Sequence, residues 1–249
     1  MKRHLCGPHA VLEALRARPA DVAVVYTLDP SPKGAVGEVV RAALDRRVAV
    51  EASTPDALDA LAGGLRHQGV VAVSAGDYPY LDLDTLLSQV ADPARGLLVA
   101  LDAITDPHNF GAIVRSSVAL GADGLITLRD RAAPVTGTVV RASAGATEHA
   151  RIARVTNLAQ TLSQLSGAGW SCVGLAGEAD TALDDVDLSG PTVLVVGSEG
   201  DGLRRLVRAR CDVVARIPLA GPVASLNASV AAGVALYEVV RQRLALAAS

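Results

Sequence analysis

Five short, largely apolar runs at residues 97–101, 124–128, 171–175, 192–196 and 212–217 are each separated from the next by a helical pattern. Runs that are apolar throughout, rather than at alternate positions, suit strands buried on both faces. Such strands, joined through helices, make a parallel sheet with helices on both sides. The second part of the chain is therefore expected to be α/β. Before it, residues 8–17, 22–28, 34–46, 48–51, 54–61 and 70–74 alternate helix-like and strand-like patterns, which predicts a separate small α/β unit. Turn formers crowd residues 76–82 and 92–96, so the expected division is a domain over 1–75, a linker over 76–95 and a domain over 96–249. The last helix is expected over residues 226–244, with Ser225 as N-cap and Val230, Val234, Leu236, Val240 and Leu244 facing the core.

Composition narrows the function classes. No apolar run approaches the length needed to cross a bilayer and no signal-type stretch follows Met1, so a cytoplasmic protein with no membrane partner is expected. Cys6, Cys172 and Cys211 are too few and too scattered for a disulfide framework or a metal knuckle, and read as reduced, mostly buried thiols. A net charge of −3 argues against a uniformly basic RNA-coating protein, and an aromatic content of 2% leaves few platforms for base stacking. A nucleic-acid site would have to be local. Residues 129–154 carry Arg129, Arg131, Arg141, Arg151 and Arg154 against Asp130 and Glu148, which reads equally as a phosphate-gripping patch or a solvated face.

In an open parallel sheet, ligands gather beyond the carboxyl ends of the strands. Three loops there carry candidate chemistry. The first runs from Asp102 through Asp106, Pro107 and Asn109 to Arg115. The second, residues 197–202, holds Gly197, Gly200 and Gly202 around Glu199. The third, residues 217–227, ends in Ser225, Leu226 and Asn227. Taken singly, each is an ordinary turn or helix cap. Competing motifs fail on spacing: Gly197, Gly200 and Gly202 reverse the dinucleotide fingerprint, and neither a Walker loop nor a Gly-x-Ser-x-Gly elbow is present. His4, His9, His67, His108 and His149 form no metal-ligand pair, so no metal is expected.

Together the loops resemble the three motifs of the SpoU family of RNA ribose methyltransferases, a branch of the SPOUT class. Asp-x-x-x-Asp-Pro-x-Asn-x-Gly-x-x-x-Arg spans 102–115, Gly-x-Glu-Gly-x-Gly spans 197–202, and Ile-Pro-x-x-Gly-x-x-x-Ser-Leu-Asn spans 217–227. The likeness covers nearly the whole chain: residues 7–11 and 67–70 are similar to the start and end of that family's RNA-recognition domain. Residues 154–159 and 177–180 are similar to the bacterial enzymes that methylate a guanosine ribose in 23S ribosomal RNA.

The resemblance implies S-adenosylmethionine as cofactor, structured RNA as substrate, a homodimer packed through the catalytic domains, and a deep trefoil knot in the last strand and helix region. Without it, the rule that chains stay unknotted leads to a plain doubly wound sheet. It also implies that Asn109, Arg115, Glu199, Ser225 and Asn227 line the active site. Gly197, Ser198, Gly200, Gly202, Ile217, Leu219 and Leu226 would hold the cofactor. Arg115 is expected to stabilise a developing alkoxide, since a guanidinium is a poor base, and Glu199 to orient a neighbour or accept the proton. Transfer RNA, another ribosomal nucleotide of the antibiotic-resistance type, and a non-catalytic role in ribosome assembly stay open beside the 23S guanosine.

Overall fold

The computed structural model describes residues 2–29 and 31–247. The chain opens with β1 (His4–Cys6), α1 (Pro8–Ala17), β2 (Val22–Thr27), α2 (Gly34–Asp45), β3 (Ala49–Ala52), α3 (Pro55–Ala62) and β4 (Val70–Ser74). Next come α4 (Leu83–Ser88), β5 (Leu97–Asp102), α5 (Pro107–Ala119), β6 (Gly124–Leu128) and α6 (Gly137–Ala142). The rest is β7 (Ile152–Val155), α7 (Leu158–Gly167), β8 (Ser171–Leu175), β9 (Thr181–Ala182), β10 (Thr192–Gly197), α8 (Arg205–Arg208), β11 (Val213–Arg216) and α9 (Ala228–Ala247).

These elements form two compact units. The first holds residues 1–79 together with Pro134–His149, and the second holds the remainder. The sequence assigns 134–149 to the catalytic part, yet this segment folds into the first unit. A side chain explains it. Glu148, 1% exposed, pairs with Arg3, 4% exposed, at 2.6 Å, and the Tyr78 hydroxyl donates to the Thr147 carbonyl at 2.9 Å. The stretch expected as a linker is likewise structured: α4 lies within it, and Leu81 exchanges backbone hydrogen bonds with Ile152 and Arg154 in the second unit.

The first unit has a mixed four-stranded sheet, ordered β1-β4-β2-β3, in which only the β2/β3 pair is parallel. The second has seven strands, ordered β7-β6-β5-β10-β8-β11-β9, with every pairing parallel. Residues of β5, β6 and β10 are buried on both faces, as continuous apolar runs require. From β5 the chain steps outward to β6 and β7, then returns to the other side, with β10 inserted between β5 and β8. That reversal puts a crevice at the carboxyl ends of β5 and β10.

The last helix differs from expectation at its start and in its orientation. It begins at Ala228, and its cap is Asn227, whose Oδ1 accepts from the Ser229 and Val230 backbone N–H groups at 2.9 and 3.4 Å, not Ser225. Its buried face is Ala228, Ala232, Ala235, Leu236 and Val239, while Val230, Val234 and Leu244 are exposed. Apolar residues run right round this helix, so periodicity alone does not choose a face. The small side chains win the core because they let α9 approach α5, where Gly233 lies beside the Ser116 hydroxyl. No helix among the described residues is long and apolar enough to cross a membrane.

Candidate active site

Two of the loops singled out in the sequence emerge from the adjacent ends of β5 and β10, and the third from β11, on the far side of β8. Asp102, the last residue of β5, stands in register with Gly197, the last of β10. Asp106 caps α5 by accepting from the Asn109 N–H at 2.9 Å, and Pro107 occupies the first turn, where its missing donor costs nothing. This cap fixes Asn109, whose side chain is nearly buried at 8% exposure. Its Oδ1 accepts from Asn227 Nδ2 at 3.0 Å. The same Nδ2 donates to Glu199 Oε1. Asn227 thus uses both ends of its amide: the oxygen caps α9 while the nitrogen joins the first loop to the second.

Asn109, Glu199 and Asn227 are therefore brought together. Arg115 lies on α5, about 9 Å farther along the helix axis than Asn109 at 1.5 Å per residue. Its side chain is exposed and makes no hydrogen bond or ion pair with a described residue. Ser225 is exposed and also without a side-chain partner among the described residues.

The second loop is shaped by its glycines. A Cβ on Gly197 would sit 2.3 Å from the Gly202 carbonyl carbon, so no side chain fits there. Ser198 and Gly202 exchange backbone hydrogen bonds of 3.2 and 3.0 Å, closing a narrow turn with Gly200 and Gly202 at positive φ. The third loop exposes Leu219 and Val223.

Two anchoring contacts have no signature in the sequence motifs. Asp102 is wholly buried and accepts from the Arg204 backbone N–H at 2.8 Å, from its Nε at 2.6 Å and from Nη2 at 2.6 Å. This clamp ties the far end of the glycine loop to β5. Arg216, just before the third loop, donates to the Ala179 carbonyl at 2.8 Å and to the Asp180 carbonyl. It holds the turn after β8, where Gly177 faces the Ala224 carbonyl. Both are pairings between residues distant in sequence, which no local pattern announces. Asp102→Asn, which keeps the shape but removes the charge facing three N–H donors, is expected to cost about 1–3 kcal/mol. The cost would appear as a lower urea midpoint at an unchanged m-value.

The arginines expected for RNA are divided between the two units. Arg129 and Arg131 are exposed in the second unit, while Arg141 belongs to the first. Arg151 donates to the Gln89 carbonyl at 3.3 Å. Arg154 is half-buried and stacks on Tyr80, its guanidinium 3.6 Å from the ring centroid, a structural contact rather than an open cation. Burial pushes the Cys172 and Cys211 thiols up to about 12, so neither supplies a thiolate near neutral pH. No group of metal-ligating side chains occurs among the described residues.

The SpoU rRNA Methylase family matches residues 96–237, which include all three loops. The chain belongs to the SpoU family. A second family, RNA 2′-O ribose methyltransferase substrate binding, matches residues 4–79, so this SpoU chain is an RNA 2′-O-ribose methyltransferase with its own substrate-binding unit. It is 46% identical over 238 residues to an uncharacterized tRNA/rRNA methyltransferase of Mycolicibacterium smegmatis, covering 95% of this chain and 76% of that one. The SpoU methyltransferase AviRb of Streptomyces viridochromogenes, solved with the cofactor AdoMet, superposes with a TM-score of 0.80 at 31% identity, covering 98% of this chain and 91% of AviRb. The TrmH/SpoU tRNA-modifying enzyme of A. aeolicus, also 31% identical, covers only 66% of this chain and 84% of its own, with a TM-score of 0.57.

Proposed function

We propose that the chain methylates the ribose 2′-hydroxyl of a guanosine in 23S ribosomal RNA, using S-adenosylmethionine and working as a homodimer. The observation that carries this reading is the junction of Asn109, Glu199 and Asn227 at the ends of β5 and β10, next to the tight Gly197–Gly202 turn. When bound, S-adenosylmethionine supplies an electrophilic methyl group. The glycine turn suits such a ligand: Gly197, Gly200 and Gly202 offer backbone without side chains, Ser198 closes the turn through its backbone, and Ile217, Leu219 and Leu226 lie on the apolar third loop.

The chain's own residues then have three tasks. Asn109 and Asn227 position the ribose, since their amides are already oriented by caps on α5 and α9. Glu199, turned toward Asn227, is the carboxylate on hand to accept the hydroxyl proton. The Arg115 guanidinium stabilises negative charge developing on the oxygen, with an adjacent phosphate as a second anchor. Ser225 completes the rim.

The 23S assignment is supported by the substrate-binding match over residues 4–79, together with the tRNA-modifying neighbour's coverage of only 66% of this chain. A dimer is supported by α9, which leaves Val230, Val234, Tyr237 and Leu244 exposed along one face; Tyr237 is 60% exposed and Leu244 65%. The return of the chain from β11, next to the edge strand β9, to α9 against α5 is the passage in which we place the knot.

The test is transfer of labelled methyl to 23S RNA lacking its native ribose methyls, with transfer RNA alongside and the modified position mapped by resistance to alkaline cleavage. One alkali-resistant guanosine linkage in 23S RNA is expected. Asn227→Asp keeps the capping oxygen but sets a second carboxylate against Glu199. It is expected to lower turnover about 10²-fold, the scale of one lost oriented donor, while leaving α9 capped. Methylation of transfer RNA alone would overturn the substrate assignment.

A further inference from the structure

Within the first unit, residues 59 and 64–68, together with Arg141 from α6, line an open cleft of about 760 Å³. Its floor is fixed by His67. The Gly69 N–H donates to His67 Nδ1 at 3.1 Å, so the ring proton is on Nε2, which donates to Asp59 Oδ1 at 3.1 Å. Both ring nitrogens are thus used, and the one acidic side chain in the cleft is already engaged. Gln68 sits at φ 52, and its side chain is exposed.

What remains open in the cleft is cationic and amide-bearing. Arg66, Gln68 and Arg141 are exposed and make no side-chain hydrogen bond or ion pair with a described residue. Two unpaired guanidinium groups facing one space call for anionic ligands with planar oxygen pairs, which phosphates supply. The exposed amide between them offers a donor and an acceptor together, the combination that reads a base edge. A cleft in the range of about 300–1,000 Å³ suits a small number of groups rather than a duplex, and base edges are readable in RNA mainly where the strand is unpaired.

We propose that this cleft holds one or two unpaired nucleotides of the RNA substrate, with Arg66 and Arg141 on phosphates and Gln68 on a base edge. The proposal rests on the reading above that the substrate is RNA, and it names where the first unit grips it. One of the two cations comes from residue 141, outside the 4–79 segment matched to substrate binding.

The experiment measures binding of the full chain to an in vitro transcript of 23S ribosomal RNA across a salt series, for the wild type, Arg66→Gln, Arg141→Gln, the double variant and Gln68→Gly. Each arginine variant is expected to weaken binding about tenfold and to reduce the slope of log affinity against log salt by about 0.7, the single-strand value per phosphate contact. Gln68→Gly, which tolerates the same backbone conformation, is expected to narrow the difference in affinity between the native loop sequence and a loop-scrambled transcript. Unchanged melting temperatures would exclude misfolding as the cause. A double variant that binds as the wild type does, with the same salt slope, overturns the cleft, as does a wild type that binds no RNA. Because the readout is affinity and not turnover, loss of binding in the variants supports the cleft even if no methyl transfer is found. Methyl transfer with no change in affinity leaves the activity standing without it.

Discussion

Arg115→Ala is expected to lower single-turnover methyl transfer by about 10²–10³-fold, the range seen when one donor to a developing oxyanion is removed. The dissociation constant for S-adenosylmethionine should stay within about twofold, because Arg115 lies on α5 and not on the glycine turn or the third loop. Stability should also hold, since the side chain is exposed and unpaired among the described residues. That combination separates a role in chemistry from a role in folding or cofactor binding. Arg115→Lys should recover part of the rate: it keeps the charge but not the planar fork that can bridge an alkoxide and a phosphate. The measurement is a rapid-quench time course with labelled cofactor and saturating RNA. A rate for Arg115→Ala within threefold of the wild type would remove this residue from the mechanism and leave Glu199 with the chemistry.

The largest effect on stability is expected at a residue far in sequence from its partner. Glu148→Ala should cost about 3–5 kcal/mol, because breaking a buried pair strands the other charge. Arg3 and Glu148 are 4% and 1% exposed and 2.6 Å apart. Arg3 also lies over the Tyr78 ring at 5.2 Å, so the uncompensated guanidinium has nowhere to reach water. Glu148→Gln should cost less, since its amide oxygen still accepts from Arg3 and from the Thr147 hydroxyl, which donates at 3.2 Å in the native chain. Replacing both partners, Arg3→Met with Glu148→Leu, should recover much of the loss. Urea titration checks all three variants. A Glu148→Ala variant within 1 kcal/mol of the wild type would show that the segment 134–149 is held by its apolar contacts instead.

Much of this fold is legible from apolar runs. The strands expected at 124–128 and 171–175 fall on β6 and β8, and those at 97–101 and 192–196 each extend by one residue. The strand β7 is not legible because Arg154 interrupts its four residues, and only the stack on Tyr80 explains how an arginine sits there. The three-residue β1 and the two-residue β9 are too short to show any period. Strand order is beyond local pattern altogether, since the place of β10 between β5 and β8 depends on which runs meet. At the site, the motif residues are readable, but their linkage is not. Nothing in the sequence tells that Asn227 caps α9 and reaches Asn109 with the same amide, or that Asp102 holds Arg204.

The placement of residues 134–149 in the first unit has a consequence for how the protein is made. Domains tend to fold as they leave the ribosome, N-terminal part first. Here the first unit cannot do so when residue 79 emerges, because Glu148 and Thr147, the partners of Arg3 and Tyr78, have yet to be translated. Until they arrive, a buried-to-be arginine remains solvated and the unit incomplete, while β5, α5 and β6 of the second unit are already in hand. The two units must therefore mature in an interleaved order, each waiting on a stretch of chain that lies beyond part of the other.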